Sequence, residues 1–111
     1  MPYSVRADMV IIESPFFTKL VEDYLSDDEY SALQWGLVTH PELGDIIPKS
    51  GGIRKLRWAG SGRGKRGGLR VIYYWRSHKG EIWLLTLYAK NEADNIPAST
   101  LKAIKQEIEN E

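Results

Sequence analysis

Cysteine is absent from the 111 residues, which removes disulfides, thiolate metal sites and cysteine nucleophiles together. Histidine is scarce. His40 precedes Pro41 and His78 falls in a Ser-His-Lys-Gly turn, so neither sits in a Ser/His/Asp arrangement or beside a partner that would make it a general base. No apolar run approaches the roughly 20 residues that cross a bilayer, and no signal-peptide pattern opens the sequence. The expectation is a cytoplasmic protein without membrane contact. The low hydrophobicity of disordered chains is also missing: 42% of residues are hydrophobic and 27% charged, as in ordinary globular domains. The 2 Phe, 4 Trp and 6 Tyr supply large surfaces to bury. One domain over residues 1–111 is expected, with no internal repeat and no linker.

Acid is missing from the middle of the chain. Between Ile46 and Asn91, Glu81 stands alone against eleven basic residues, a net of +10 that the overall neutrality hides. The flanking segments hold four bases and fourteen acids, a net of −10. A basic middle laid on one face is the electrostatic footprint for a polyanion, nucleic acid or phosphate. The bland alternative is a solvated basic face balanced by acidic helices.

Local patterns give the element order. Val10-Ile11-Ile12 reads as a short strand. Ser14-Pro15 reads as N-cap and first helical residue, and Phe16, Phe17, Leu20, Val21, Tyr24 and Leu25 follow on one helical face. Ser26-Asp27-Asp28-Glu29 has the capping-box pattern, with acids where the helix dipole favours them. A second helix should carry Tyr30, Leu33, Leu37 and Val38 and end near His40-Pro41. After a loop over 41–52 the period becomes strand-like in Ile53–Ala59, then in Leu69–Arg76 and Glu81–Ala89, with Ser77–Gly80 as a hairpin connection. Leu101, Ile104 and Ile108 mark a last helix starting near Pro97. The expected order is β-α-α-β-β-β-α, an α+β domain with a mostly antiparallel sheet covered on one side and partly on the other.

The Gly-rich segment Gly60–Gly68 invites comparison with a phosphate-binding P-loop. That pattern needs Gly where Ala59 stands and Ser or Thr where Arg66 stands. It also lies between strands rather than before a helix. A basic arm touching phosphates, through Arg63, Lys65 and Arg66, and a plain solvated loop remain equal readings. Strand-borne bases are more informative because a rigid backbone fixes their spacing. Arg70, Ile72, Tyr74 and Arg76 share one face of their strand, and Tyr88 and Lys90 share parity at the end of the next. Fixed guanidinium and ammonium groups can hold a phosphodiester and stabilise charge that develops when it is attacked. A tyrosine can stack on a base or move a proton. Tyr73, Tyr74, Trp75 and Trp83 read as core. Asp27, Asp28 and Glu29 are explained by capping, so no metal and no cofactor is expected.

Three stretches resemble the RelE/ParE toxin superfamily, and most closely its HigB-type branch. They are Gly52-Ile53-Arg54-Lys55-Leu56-Arg57, then Gly64-Lys65-Arg66-Gly67-Gly68-Leu69-Arg70-Val71-Ile72-Tyr73-Tyr74, then Leu84-Leu85-Thr86-Leu87-Tyr88-Ala89-Lys90-Asn91-Glu92. The resemblance implies a RelE-like fold with two N-terminal helices on a small sheet. It implies a ribosome-dependent mRNA endoribonuclease, metal-independent, that enters the A site and cuts by attack of a ribose 2′-hydroxyl on the adjacent phosphate. Carried over by position, Arg57, Arg70, Tyr88 and Lys90 would form the catalytic edge, with Arg70 on the scissile phosphate. Arg54, Lys55, Arg63, Lys65, Arg66 and Arg76 would line the RNA and ribosome groove. The implied partner is an antitoxin, HigA-like with a helix-turn-helix DNA-binding domain. The chain departs from RelE proper at Asn91, where arginine is frequent, and in ending its tyrosines at Tyr88. Members of the superfamily that poison gyrase, or bind without cutting, are the alternative.

Overall fold

The computed structural model describes residues 9–59, 68–90 and 96–110. Its elements are β1 (Val10–Glu13), α1 (Pro15–Tyr24), α2 (Asp27–Thr39), β2 (Asp45–Ile46), β3 (Arg54–Trp58), β4 (Leu69–Arg76), β5 (Glu81–Ala89) and α3 (Ala98–Glu109). A 3₁₀ turn, Ser77–Lys79, joins β4 to β5 and closes on Gly80, whose φ of 66° suits glycine. The fold is α+β, with three helices and a five-stranded sheet in the order β1-β5-β4-β3-β2. All neighbours are antiparallel except β1 and β5, which run parallel.

The caps form as the sequence indicates. Ser14 Oγ accepts from the Phe17 amide at 3.1 Å, and Pro15 occupies the first turn, where its missing N–H costs nothing. Ser26 and Glu29 make the reciprocal capping box, at 2.7 and 3.2 Å. The β4–β5 register slips between Ile72 and Tyr73, passing from Ile72↔Thr86 to Tyr73↔Leu84 and leaving Leu85 unmatched. Such a bulge frees a backbone group that needs another partner. The Leu85 carbonyl finds it in the Ser14 hydroxyl, at 2.7 Å. One side chain thus caps α1 and fastens it to the irregular point of the sheet.

The two sheet faces are covered unequally. On the first, Phe17, Val21 and Leu25 of α1 and Leu33 and Leu37 of α2 join Leu56, Leu69, Val71, Tyr73, Leu84 and Leu87 in the larger core. Each fully buried aliphatic or phenyl side chain here stabilises by about 1.5–3 kcal/mol relative to exposure. On the second, Leu101 and Ile108 of α3 pack on Ile53, Ile72, Tyr74 and Leu85. That helix covers only part of its face, and among the described residues none covers the strand ends beyond it. The loop before β2 is held by Tyr73, whose buried hydroxyl donates to the Pro41 carbonyl at 2.6 Å and accepts from the Gly44 amide at 2.8 Å. Gly44 has no room for a side chain: a Cβ there would meet Tyr73 Cε1 at 2.9 Å and the Lys55 backbone at 3.0 Å.

Candidate nucleic-acid interface

Cross-strand register builds the site. Arg57 of β3 lies opposite Arg70 of β4, and Arg70 lies opposite Tyr88 of β5. The three form one row across the sheet, on the face that α3 leaves open. The next row is Asp45 of β2, Lys55, Ile72 and Thr86. Arg57 is exposed, while Lys55, Arg70 and Tyr88 are half-buried. Two arginines directly opposite each other repel, which sheet pairing normally disfavours. Their juxtaposition leaves a dense positive charge at the open end of the face. Burial pushes the Tyr88 phenol above its ordinary value, and the Arg70 charge opposes that rise. Tyr88 therefore holds its proton at neutral pH.

Beside these rows runs a cleft of about 380 Å³. Lys55, Arg57 and Tyr88 line it on the sheet side with Ile72 beneath, β2 and its following loop give Asp45 and Ile47, and α3 gives Leu101. Charge thus rims a floor of aliphatic side chains.

The other residues expected at the site divide. Lys90 lies one residue past β5, exposed, its amide donating to the Gly68 carbonyl at 3.3 Å. Arg63, Lys65 and Arg66 lie outside the described residues. The structure does not bring Arg54 and Arg76 to this row. Arg54 is three residues from Arg57, so the pleat turns it to the opposite face. Its Nη1 donates to the carbonyls of Glu42 and Gly44, at 3.3 and 2.7 Å, tying β3 to the loop before β2. Arg76 shares parity with Arg70 but lies under the end of α3 and is only 5% exposed. Its Nη1 contacts Glu81 Oε1 at 3.2 Å and its Nε contacts Glu109 Oε1 at 3.3 Å. Tyr74 donates its hydroxyl to the same Glu109 carboxylate. Arg76 is the pin that holds α3 on the sheet.

Sequence reasoning missed Asp45 and Ile47 as cleft residues. Asp45 belongs to a strand two residues long with no alternation and Ile47 to the loop after it, its amide donating to the Ile53 carbonyl at 2.8 Å, so only pairing with the chain around β3 reveals them. Among the described residues, no group of three or more His, Asp or Glu side chains gathers as metal ligands. No helix there is long and apolar enough to cross a membrane. No protein-family model matches the chain.

Proposed function

We propose that the protein is a RelE-like toxin of a toxin–antitoxin pair, a ribosome-dependent endoribonuclease that cuts mRNA. The observation that carries this reading is the row Arg57–Arg70–Tyr88 on one sheet face, at the end that α3 does not reach. The +10 charge of the segment spanning it and the resemblance of the same strands to the RelE/ParE superfamily support it further. The element order, with two helices between β1 and the remaining strands, supports a RelE-like reading.

The chemistry follows from the residue types. The ribose 2′-oxygen attacks the adjacent phosphorus, the bond to the 5′-oxygen breaks, and a 2′,3′-cyclic phosphate forms. The 2′-oxygen gives up a proton and the departing 5′-oxygen takes one. Arg57 and Arg70 neutralise the extra charge on the phosphorane, the state where fixed donors act most strongly. Tyr88, protonated at neutral pH, is placed to donate rather than abstract a proton. Lys55 continues the positive track toward β2, and Lys90 stands at the outer edge. An antitoxin, HigA-like with a helix-turn-helix domain, would silence the site by laying acidic residues over the row. The cytoplasm, with the ribosomal A site, is where such a protein acts.

Induced expression in a bacterial host, with primer-extension mapping of mRNA ends, tests the reading. Wild type should produce new in-frame ends, and Arg70→Ala should lower their yield by about 10²–10³-fold, the usual cost of losing a transition-state donor. Soluble, folded Arg70→Ala protein is expected alongside. Growth arrest with intact mRNA would move the target to gyrase or to a non-cleaving contact. Healthy growth with soluble wild-type protein would remove the toxin reading.

A further inference from the structure

The cleft beside the arginine row has features that phosphate binding does not require. Its floor is aliphatic, with Ile72 and Leu101 nearly inaccessible to solvent and Ile47 and Ile96 completing the walls. At about 380 Å³ it falls at the small end of ligand pockets, with room for a nucleobase and its sugar. Flat aromatic faces seat well between such side chains. On the rim, Asp45 and Lys55 are direct partners across β2 and β3 and both line the cleft. They set an anionic double acceptor beside a cationic donor.

We propose that this cleft is a base-reading pocket selective for guanine, with Asp45 accepting from the N1 and N2 hydrogens and Lys55 donating to O6. The proposal rests on the RNA reading above and gives it a substrate preference. Guanine presents two adjacent donors and one acceptor along its Watson–Crick edge, the complement of a carboxylate next to an ammonium. Adenine would turn its N1 lone pair toward the Asp45 carboxylate, and uracil and hypoxanthine each lack the second donor. Those mismatches leave charged groups unpaired, the way a site rejects a near relative. The Arg57–Arg70 row lies beside the cleft, so a phosphate attached to the seated nucleoside meets it without leaving the face. An acid among bases weakens phosphate binding, and base reading gives Asp45 a use that a plain polyanion groove would not.

Calorimetric titration at low ionic strength with the 3′-monophosphates of guanosine, inosine, adenosine, cytidine and uridine tests this. Wild type should bind the guanosine nucleotide at least about ten-fold more tightly than the inosine nucleotide, which lacks only the N2 amino group, since a hydrogen bond to a charged group gives that much discrimination. Asp45→Asn, close to isosteric, should bring those two within about two-fold. The guanosine–inosine comparison needs no variant, so a misfolded mutant cannot obscure it. Equal binding of all five nucleotides, or binding of none, would overturn the proposal. The titration is independent of the nuclease reading: guanine-selective binding by a protein that makes no cuts would keep the pocket and remove the enzyme. Cutting with base-blind binding would do the reverse.

Discussion

Removing one oxygen atom from the core tests how the cleft wall is held. Tyr73 is fully buried, and its hydroxyl joins the Pro41 carbonyl and the Gly44 amide to the sheet interior, at 2.6 and 2.8 Å. Burial raises its pKa, so the hydroxyl stays protonated and donates to Pro41. In Tyr73→Phe the ring packing survives, but the Pro41 carbonyl and the Gly44 amide lose their partner. A buried unsatisfied polar group costs about 1–3 kcal/mol, so the pair should cost about 3 kcal/mol after the loop relaxes. For a domain of this size that lowers Tm by about 12 °C. Urea denaturation gives the free energy, and hydrogen exchange at the Gly44 amide localises the loss. Tyr88→Phe is the control, because Tyr88 has no hydrogen-bond partner among the described residues and should change stability by less than about 0.5 kcal/mol. A Tyr73→Phe loss below about 1 kcal/mol with unchanged Gly44 exchange would refute the reasoning. Because the same loop leads into Asp45, the variant should also bind guanosine 3′-monophosphate less selectively.

Three further outcomes are expected. Arg76→Ala should destabilise by roughly 1–2 kcal/mol, because it removes the buried guanidinium's packing and its hydrogen bonds to Glu81 and Glu109 while both acids keep contact with water; chemical denaturation measures this, with Arg57→Ala close to neutral beside it. Glu81 and Glu109 are both held below the usual carboxylate range, Glu81 chiefly by the Trp83 hydrogen bond and then Arg76, Glu109 chiefly by the Tyr74 hydrogen bond and then Arg76. The unfolded chain therefore binds more protons below about pH 4.5, so stability should fall as pH drops through the depressed values, with a shallower slope in Arg76→Ala when thermal melts are compared across that range. Ser26→Ala should cost about 1 kcal/mol by removing a cap, seen as a lower urea midpoint with unchanged slope.

Most of the scaffold was legible because local chemistry and final fold agree. Ser14-Pro15 and Ser26–Glu29 start helices by supplying what free amide groups need, and those needs do not depend on the rest of the chain. The alternation in β3, β4 and β5 likewise reports which sides meet apolar cover. The failures share a cause, which is dependence on distant partners. Asp45–Ile46 becomes a strand only because β3 offers it an edge. The carbonyl that the bulge frees at Leu85 is satisfied by Ser14, 71 residues earlier. Arg76 has the parity of Arg70, yet one binds the end of a helix and the other faces the open groove. Nothing near Arg76 in sequence announces Glu109. That Arg57, Arg70 and Tyr88 line up in one row follows from a strand register that is periodic. Arg54 belongs to the same basic run, and only its bonds to the Glu42 and Gly44 carbonyls set it apart from Arg57.

The opposed arginines tie the protein's own stability to its occupant. Arg57 and Arg70 face each other across β3 and β4, so each raises the electrostatic cost of the other and an anion bound between them lowers it. A phosphate-bearing ligand should raise Tm by mass action, in proportion to how tightly it binds the folded state. An acidic inhibitor laid over the same row would do likewise. Resistance to proteolysis should then follow the concentration of that ligand, because cleavage samples the open population that binding depletes.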